Sequence, residues 1–255
     1  MFKYGLKLWS INENYIKEAK ELYEKGFYSY IELYIVPESY ENYIKLWKSL
    51  DIPFIIHATH YRHNMNLGKS DSWPKNLELT KEVQKFADQL TSEIVIYHPG
   101  INGCIEETVN QLNKIDDNRI FIENKPFIAI NESFLCNGNS PEEIKFIMDN
   151  TGVKFCYDIG HGICSSNSRH VNVYTDLEKY LDLNPKMFHL TDGNFLDVYD
   201  KHYHFGKGTY DIKKILKYIP DNSSITIETY KDSTEDLEDF KKDIDYLKNL
   251  ERTEY

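Results

Sequence analysis

The chain has 255 residues, 41% of them hydrophobic and 28% charged, with a formal net charge of −11. It is too long for a disulfide-stapled miniprotein, too apolar for bulk disorder and too acidic for a general nucleic-acid binder, although a local basic cleft stays open. No window approaches the roughly 18 apolar residues of a membrane span, and Lys3, Lys7 and Asn12 interrupt the N-terminus before a secretory segment can form.

In chain order, the first apolar run predicts a strand over 4–9. A helix over 14–25 follows, with Tyr15, Ile16, Ala19, Leu22 and Tyr23 on one face and Gly26 as its stop. Strands over 28–35 and 52–57 come next. A helix over 77–90 carries Leu77, Val83, Phe86, Ala87 and Leu90 inward, and strands over 93–98 and 119–123 follow it. Ser140 before Pro141 reads as an N-cap with proline at the first helical position. After a strand over 153–158, Thr175 and Glu178 have capping-box spacing ahead of Leu181. Strands over 186–190 and 224–228 precede a last helix over 234–250, with Leu237, Phe240, Ile244 and Leu247 inward. Strictly alternating strands and helices imply a parallel sheet. Eight such units in about 250 residues form a closed (β/α)₈ barrel, so a single α/β domain over 1–255 is expected. An open doubly wound sheet is the alternative, but no GxGxxG follows the first strand.

The chemistry gathers at the strand ends. His57, His98, Glu123, Asp158 and Glu228 each end a predicted strand and His189 lies within one, six strands in all. In a barrel these ends converge on one face. Imidazoles and carboxylates crowded there either carry a large desolvation and repulsion cost or hold a cation. His161 lies three residues past Asp158, in a turn that can fold back over the strand end. Asp200 and His202, two apart, aim to the same side if their segment is extended. The glycines of Gly206-Lys207-Gly208 permit a tight turn close to a ligand. His60, His63, His170 and His204 read as surface or packing residues, and Asp192 as a turn residue that orients a ligand. Glu32 either enters the barrel mouth or faces solvent. Asn124 and Lys125, beside Glu123, and Lys231, just after Glu228, are candidate substrate contacts, the lysines for a phosphate group. Cys104, Cys136, Cys156 and Cys164 show no CxxC or framework spacing, so they read as structural thiols in a reducing cytoplasm.

The segments IIHATH, IYHPG, FIENKP, CYDIGH, FHLTDGN, DKHYHFGKG and TIETY together resemble the xylose isomerase-like TIM barrels. That superfamily holds sugar (phosphate) isomerases and epimerases as well as the abasic-site endonuclease IV group. The resemblance implies a one-metal epimerase set on Glu123, Asp158, His189 and Glu228. It equally implies the larger endonuclease IV set for three zinc ions: His57, His98, Glu123, Asp158, His161, His189, Asp200, His202 and Glu228. The chain departs from the nuclease pattern at ENKP, at DIGHGICSSNSRH and in a shorter stretch between His189 and Asp200.

Two mechanisms follow. In the first, one Mn²⁺, Mg²⁺ or Co²⁺ polarises a sugar or sugar-phosphate carbonyl while Glu123 and Glu228 exchange the neighbouring proton as base and acid. In the second, two or three Zn²⁺ ions drive hydrolysis of a phosphate ester, in abasic DNA or a small molecule, and five imidazoles among nine candidate ligands suit that metal. The acidic charge and the loop departures place the isomerase or epimerase first and disfavour a nucleic-acid substrate. A barrel that has lost its activity and only binds is the third reading, and the complete ligand set argues against it. Trp47 and Trp73, read as surface aromatics, leave room for a homodimer.

Overall fold

The computed structural model describes residues 1–129 and 134–252. Eight parallel strands close into a barrel in sequence order. They are β1 (Lys3–Trp9), β2 (Tyr30–Tyr34), β3 (Phe54–His57), β4 (Val95–Tyr97), β5 (Ile120–Glu123), β6 (Lys154–Asp158), β7 (Met187–Leu190) and β8 (Ser224–Ile227). Among the described residues the helices are α1 (Ile16–Glu24), α2 (Tyr40–Lys48), α3 (Trp73–Gln89), α4 (Ile105–Leu112), α5 (Pro141–Thr151), α6 (Ile159–Ser168), α7 (Val173–Asp182), α8 (Ile212–Tyr218) and α9 (Glu238–Arg252). None of these helices is long and apolar enough to cross a membrane.

The side-chain alternation of each strand builds two layers. One parity carries Leu6, Leu8, Ile31, Leu33, Ile56, Tyr97, Ile122, Tyr157, Phe188 and Ile227 into a continuous core that also holds the inner faces of the helices. The other parity carries Tyr30, Ile55, Ile96, Phe121, Cys156 and Met187 into a separate apolar cluster, the barrel floor. Two residues further along the same strands stand Glu32, His57, His98, Glu123, Asp158 and His189. The apolar floor and the polar rim are thus one alternation sampled at successive steps. On β1, a Cβ at Gly5 would run into the Tyr30 ring, so glycine leaves room for that ring across the floor. The next inward residue of β1 is Lys7.

Local chemistry corrects four expectations. First, Asn172, not Thr175, caps α7, because its side chain accepts the Thr175 N–H at 3.0 Å. Second, α9 starts at Glu238 rather than 234. The Ser233 hydroxyl takes the N–H groups of Glu235 and Asp236, and Glu18 of α1 takes that of Leu237. Third, Trp47 is fully buried, its indole N–H donating to the Ser10 carbonyl at 2.7 Å. Fourth, Trp73 packs half-buried against the core, with the Lys114 ammonium over its ring. Neither tryptophan supplies the exposed aromatic surface read as room for a homodimer. The Ser140 cap is as expected, and the Glu143 carboxylate returns to accept the N–H groups of Gly138 and Asn139.

Candidate metal centre

His57, Glu123 and Asp158 end β3, β5 and β6, His98 and Glu228 follow β4 and β8 by one residue, and His189 lies in β7, paired in register with Asp158. The nine side chains expected at the rim do come together there. Glu123 is the hub. One carboxylate oxygen lies 3.0 Å from His57 Nε2, 3.1 Å from His98 Nε2 and 3.5 Å from His189 Nδ1. The other lies 3.0 Å from His161 Nδ1. His189 Nδ1 is also 3.1 Å from Glu228 and 3.8 Å from Asp158. Asp200 Oδ2 stands 3.4 Å from His161 Nε2 and 2.9 Å from His202 Nε2. His57–His98–Glu123, His161–Asp200–His202, Glu32–His189–Glu228 and Glu123–Asp158–His161 are each spaced to hold a cation.

Second contacts fix how the imidazoles present themselves. His57 Nδ1 meets the Ala58 carbonyl at 2.8 Å, His161 Nδ1 the Asn124 carbonyl at 2.9 Å, and His202 Nδ1 the Glu228 carbonyl at 2.8 Å. His189 Nε2 meets the Glu32 carboxylate at 2.9 Å. With a cation bound, each ring would send its N–H outward and turn its lone pair toward the carboxylates, the arrangement of a metal-ligating histidine. Among the described residues, His189 Nδ1 and Asp200 Oδ2 are buried with ion-pair contacts but no well-aligned hydrogen bond. Buried polar atoms are seldom left so, and a divalent ion would satisfy both.

The turn after β6 is the first turn of α6. Asp158 caps that helix by accepting the His161 N–H at 2.7 Å, which seats both side chains. Asp200 and His202 reach one point by a different route from the extended one expected. His202 has a φ of 48°, so a left-handed turn directs it. The glycines at 206 and 208 lie close to Asp192 and not to a ligand. A Cβ on Gly208 would collide with the Asp192 carboxylate. That buried carboxylate accepts the N–H groups of Gly193, Gly206, Gly208 and Tyr210, at 2.8 to 3.2 Å. It clamps the loop that carries Asp200 and His202. Asp192→Ala leaves those donors unsatisfied, and a loss of about 3–5 kcal/mol is expected in thermal or denaturant unfolding. A loss below about 1 kcal/mol would show that the clamp is dispensable.

Several residues take other parts than the sequence suggests. Asn124 gives both amide atoms to the Asp158 backbone at 2.8 Å, so it braces a ligand rather than reaching for substrate. The Lys231 ammonium donates to the Thr229 carbonyl at 3.1 Å and lies over the Phe240 ring. Lys125 lies among the ligands themselves, 3.2 Å from Glu123 and 3.3 Å from His98 Nε2. Glu32 is fully buried and enters the barrel. Lys7, unmarked by any motif, bridges Glu32 and Glu228 at 2.5 and 2.6 Å. Its signal was the alternation of YGLKLW, which puts Gly5 and Lys7 on one face. His60 stacks on His98 with ring centroids 5.4 Å apart and helps line a mouth cavity of about 110 Å³, together with Tyr61, Lys125, His161, Asp200 and His202. His63 meets the Tyr34 hydroxyl, and His204 is tied to Asp243 at 2.7 Å, as packing residues. Cys136, Cys156 and Cys164 are buried thiols, and Cys104 is exposed.

Burial alone would raise every rim carboxyl. For Glu32 the His189 and Lys7 charges outweigh burial and hold it at about 2, and for Asp200 the His202 charge does the same, also at about 2. Glu123, beside Lys125 and His98, and Glu228, beside His189 and Lys7, are held well below the carboxylate range. Asp158 goes the other way, to about 6, because burial and the neighbouring Asp200 and Glu123 charges outweigh His161. Among the imidazoles, burial and the Lys125 charge lower His98 to about 3. Against burial, Asp200 lifts His202 to about 9, and Cys156, Glu228 and Glu32 lift His189 well above its usual value.

A proton-release prediction follows. At pH 7.5 His189 and His202 hold protons that a bound cation must expel, whereas Asp158 is already mostly ionised. Zinc binding should therefore release about two protons at pH 7.5, more near pH 6 and fewer above pH 9. Calorimetry in buffers of different ionisation heat reads this number. A release near zero at pH 7.5 would contradict it.

A family model described as xylose isomerase-like TIM barrel matches residues 20–250. A protein of Thermosipho melanesiensis named probable endonuclease 4 is 24% identical over 232 residues, 84% of this chain and 81% of its own length. The structure of a D-tagatose 3-epimerase-like protein superposes with a TM-score of 0.74 at 19% identity, over 99% of this chain and 98% of that one. Endonuclease IV from Thermus thermophilus superposes with a TM-score of 0.67 at 19% identity, over 97% and 99%. At such identities the superpositions show the fold, which is shared by relatives of both kinds.

Proposed function

The chain belongs to the xylose isomerase-like TIM barrel family, and from that premise we propose that it is a divalent-metal-dependent hydrolase of phosphate esters with a multinuclear centre. The observation that carries the reading is the set of imidazoles. His57, His161, His189 and His202 each have one nitrogen tied to an outer acceptor and the other facing a shared carboxylate. A one-metal centre on Glu123, Asp158, His189 and Glu228 leaves His57, His98, His161, Asp200 and His202 without a task. A donor set this rich in nitrogen suits zinc better than magnesium.

The same geometry weakens the isomerase reading that the sequence ranks first. Proton exchange next to a carbonyl works best with groups that titrate near the operating pH. Glu123 and Glu228 are instead each already engaged by an ammonium, Lys125 at 3.2 Å and Lys7 at 2.6 Å. What still favours an epimerase is that its oxygen-rich quartet is complete.

When bound, divalent ions supply Lewis acidity toward a phosphoryl oxygen and toward an attacking water. This chain's residues do the rest. Glu123 spans two groups of ligands and sets their spacing. Glu32 orients His189, and Lys7 holds Glu32 and Glu228 in place. Lys125 and His60 line the cavity of about 110 Å³ where a phosphoryl group would enter. The remainder of the substrate meets the rim, where Trp9, Leu135, Leu196 and Tyr230 are exposed in segments at or after strand ends. A phosphorylated sugar, free or within an abasic strand, satisfies this chemistry.

Metal analysis of the purified protein tests the proposal. About two to three zinc ions per chain are expected, together with turnover of a phosphodiester or of abasic duplex DNA. About one Mn²⁺ or Co²⁺, with activity only on a sugar or sugar-phosphate panel, would replace this reading by the epimerase.

A further inference from the structure

We infer that Lys125 is a built-in cation that competes with one of the metal ions, leaving the His57–His98–Glu123 group the weakest of the centre. The inference rests on the multinuclear reading above and deepens it. The Lys125 ammonium lies 3.3 Å from His98 Nε2, 3.2 Å from Glu123 Oε1 and 3.2 Å from His161 Nε2. An ammonium has donors and no acceptor, so in the tautomer that carries its proton on Nδ1, His98 gives Lys125 the Nε2 lone pair. The same lone pair is what that group would offer an ion, because Glu123 Oε2 lies 3.0 Å from His57 Nε2 and 3.1 Å from His98 Nε2, and the three residues are spaced to hold a cation. One lone pair cannot accept the proton of an ammonium and bind a metal at once.

The residue that carries the ammonium is buried and anchored through its backbone. Lys125 is buried, its backbone N–H donates to the Gly138 carbonyl at 2.9 Å, and Pro126 follows it. Charge points the same way. The ligand carboxylates Glu123, Asp158, Asp200 and Glu228 carry four negative charges, while Glu32 is matched by Lys7. Two divalent ions balance the four, and the Lys125 charge then remains for a phosphoryl group. A third ion a few ångströms from a buried ammonium adds excess like charge where little water screens it. The two groups left to fill are Glu123–Asp158–His189–Glu228 and His161–Asp200–His202. They meet at Asp158 and His161, whose facing atoms are 3.5 Å apart.

The test strips the full-length protein of metal and titrates it with zinc in metal buffers, counting bound ions by mass spectrometry. Wild type should saturate at about two ions, with a third binding about 10–100-fold more weakly than in Lys125→Met, which should take about three. Lys125→Arg, which keeps the charge, should behave as wild type. Cobalt absorption of the unmutated protein gives a second reading, with ligand-field bands complete near two equivalents. Three tight ions in wild type, or two in Lys125→Met, overturn the inference and leave the multinuclear centre standing. One ion or none in wild type and in the variants overturns that centre, and the inference with it.

Discussion

Glu123→Gln is expected to lower turnover on the order of 10³-fold or more, and to empty the Glu123–Asp158–His189–Glu228 group. The size of the effect follows from its place as the hub. One of its oxygens serves His57, His98 and His189, and the other faces His161 and Lys125. Glutamine keeps the volume but loses the charge and one acceptor. The fold should survive, because Phe121, two residues earlier, keeps the barrel floor intact. Three readings check this: metal content, turnover, and thermal unfolding of the metal-free protein. A variant that keeps its full complement of ions and near-normal turnover would remove Glu123 from the centre. A variant that unfolds in the metal-free form would instead make it a structural residue.

Much of this was legible before any coordinates, for a definite reason. Barrel strands are short, and their inward residues alternate with a period of two, so a run such as IPFIIH declares both its strand and the residue that ends it. Placement at the strand ends picked out His57, His98, Glu123, Asp158, His189 and Glu228, which the barrel brings to one rim. What the pattern could not show was depth. Lys7 and Glu32 lie on the same inward parity as the ligands, but a charge inside a strand also reads as solvent-facing. Only closure of the barrel tells the two apart, because it brings β1 and β2 within reach of β7 and β8. Loop geometry was equally hidden. The left-handed turn at His202 and the grip of Asp192 on Gly206 and Gly208 depend on residues far apart in the chain. Lys125 was legible as a cation near Glu123, but its contact with His98 needed the loop after β5 to fold back.

The double substitution Asp200→Asn with His202→Ala separates the two chemistries that this fold supports. These residues lie on the loop between β7 and α8, outside the quartet Glu123–Asp158–His189–Glu228. A one-metal epimerase needs only the quartet, so it should keep its ion and most of its turnover. A multinuclear hydrolase loses the group closed by Asp200 Oδ2, which faces His161 Nε2 and His202 Nε2. It should release about one ion per chain, and its turnover should fall on the order of 10²–10³-fold, because one oxygen of the displacement loses its charge stabilisation. The fold should tolerate the change, since the loop remains held by Asp192 through four backbone N–H groups, and Asp200 enters the centre as a buried charge whose removal relieves Asp158. Relief of that repulsion carries its own signature. The Asp158 carboxyl, raised to about 6 by burial with Asp200 adding to it, should titrate somewhat lower in the double variant, and the remaining metal should be retained to more acidic pH. Retention of the full metal complement and of phosphoesterase turnover would show that the His161–Asp200–His202 group plays no part in the chemistry.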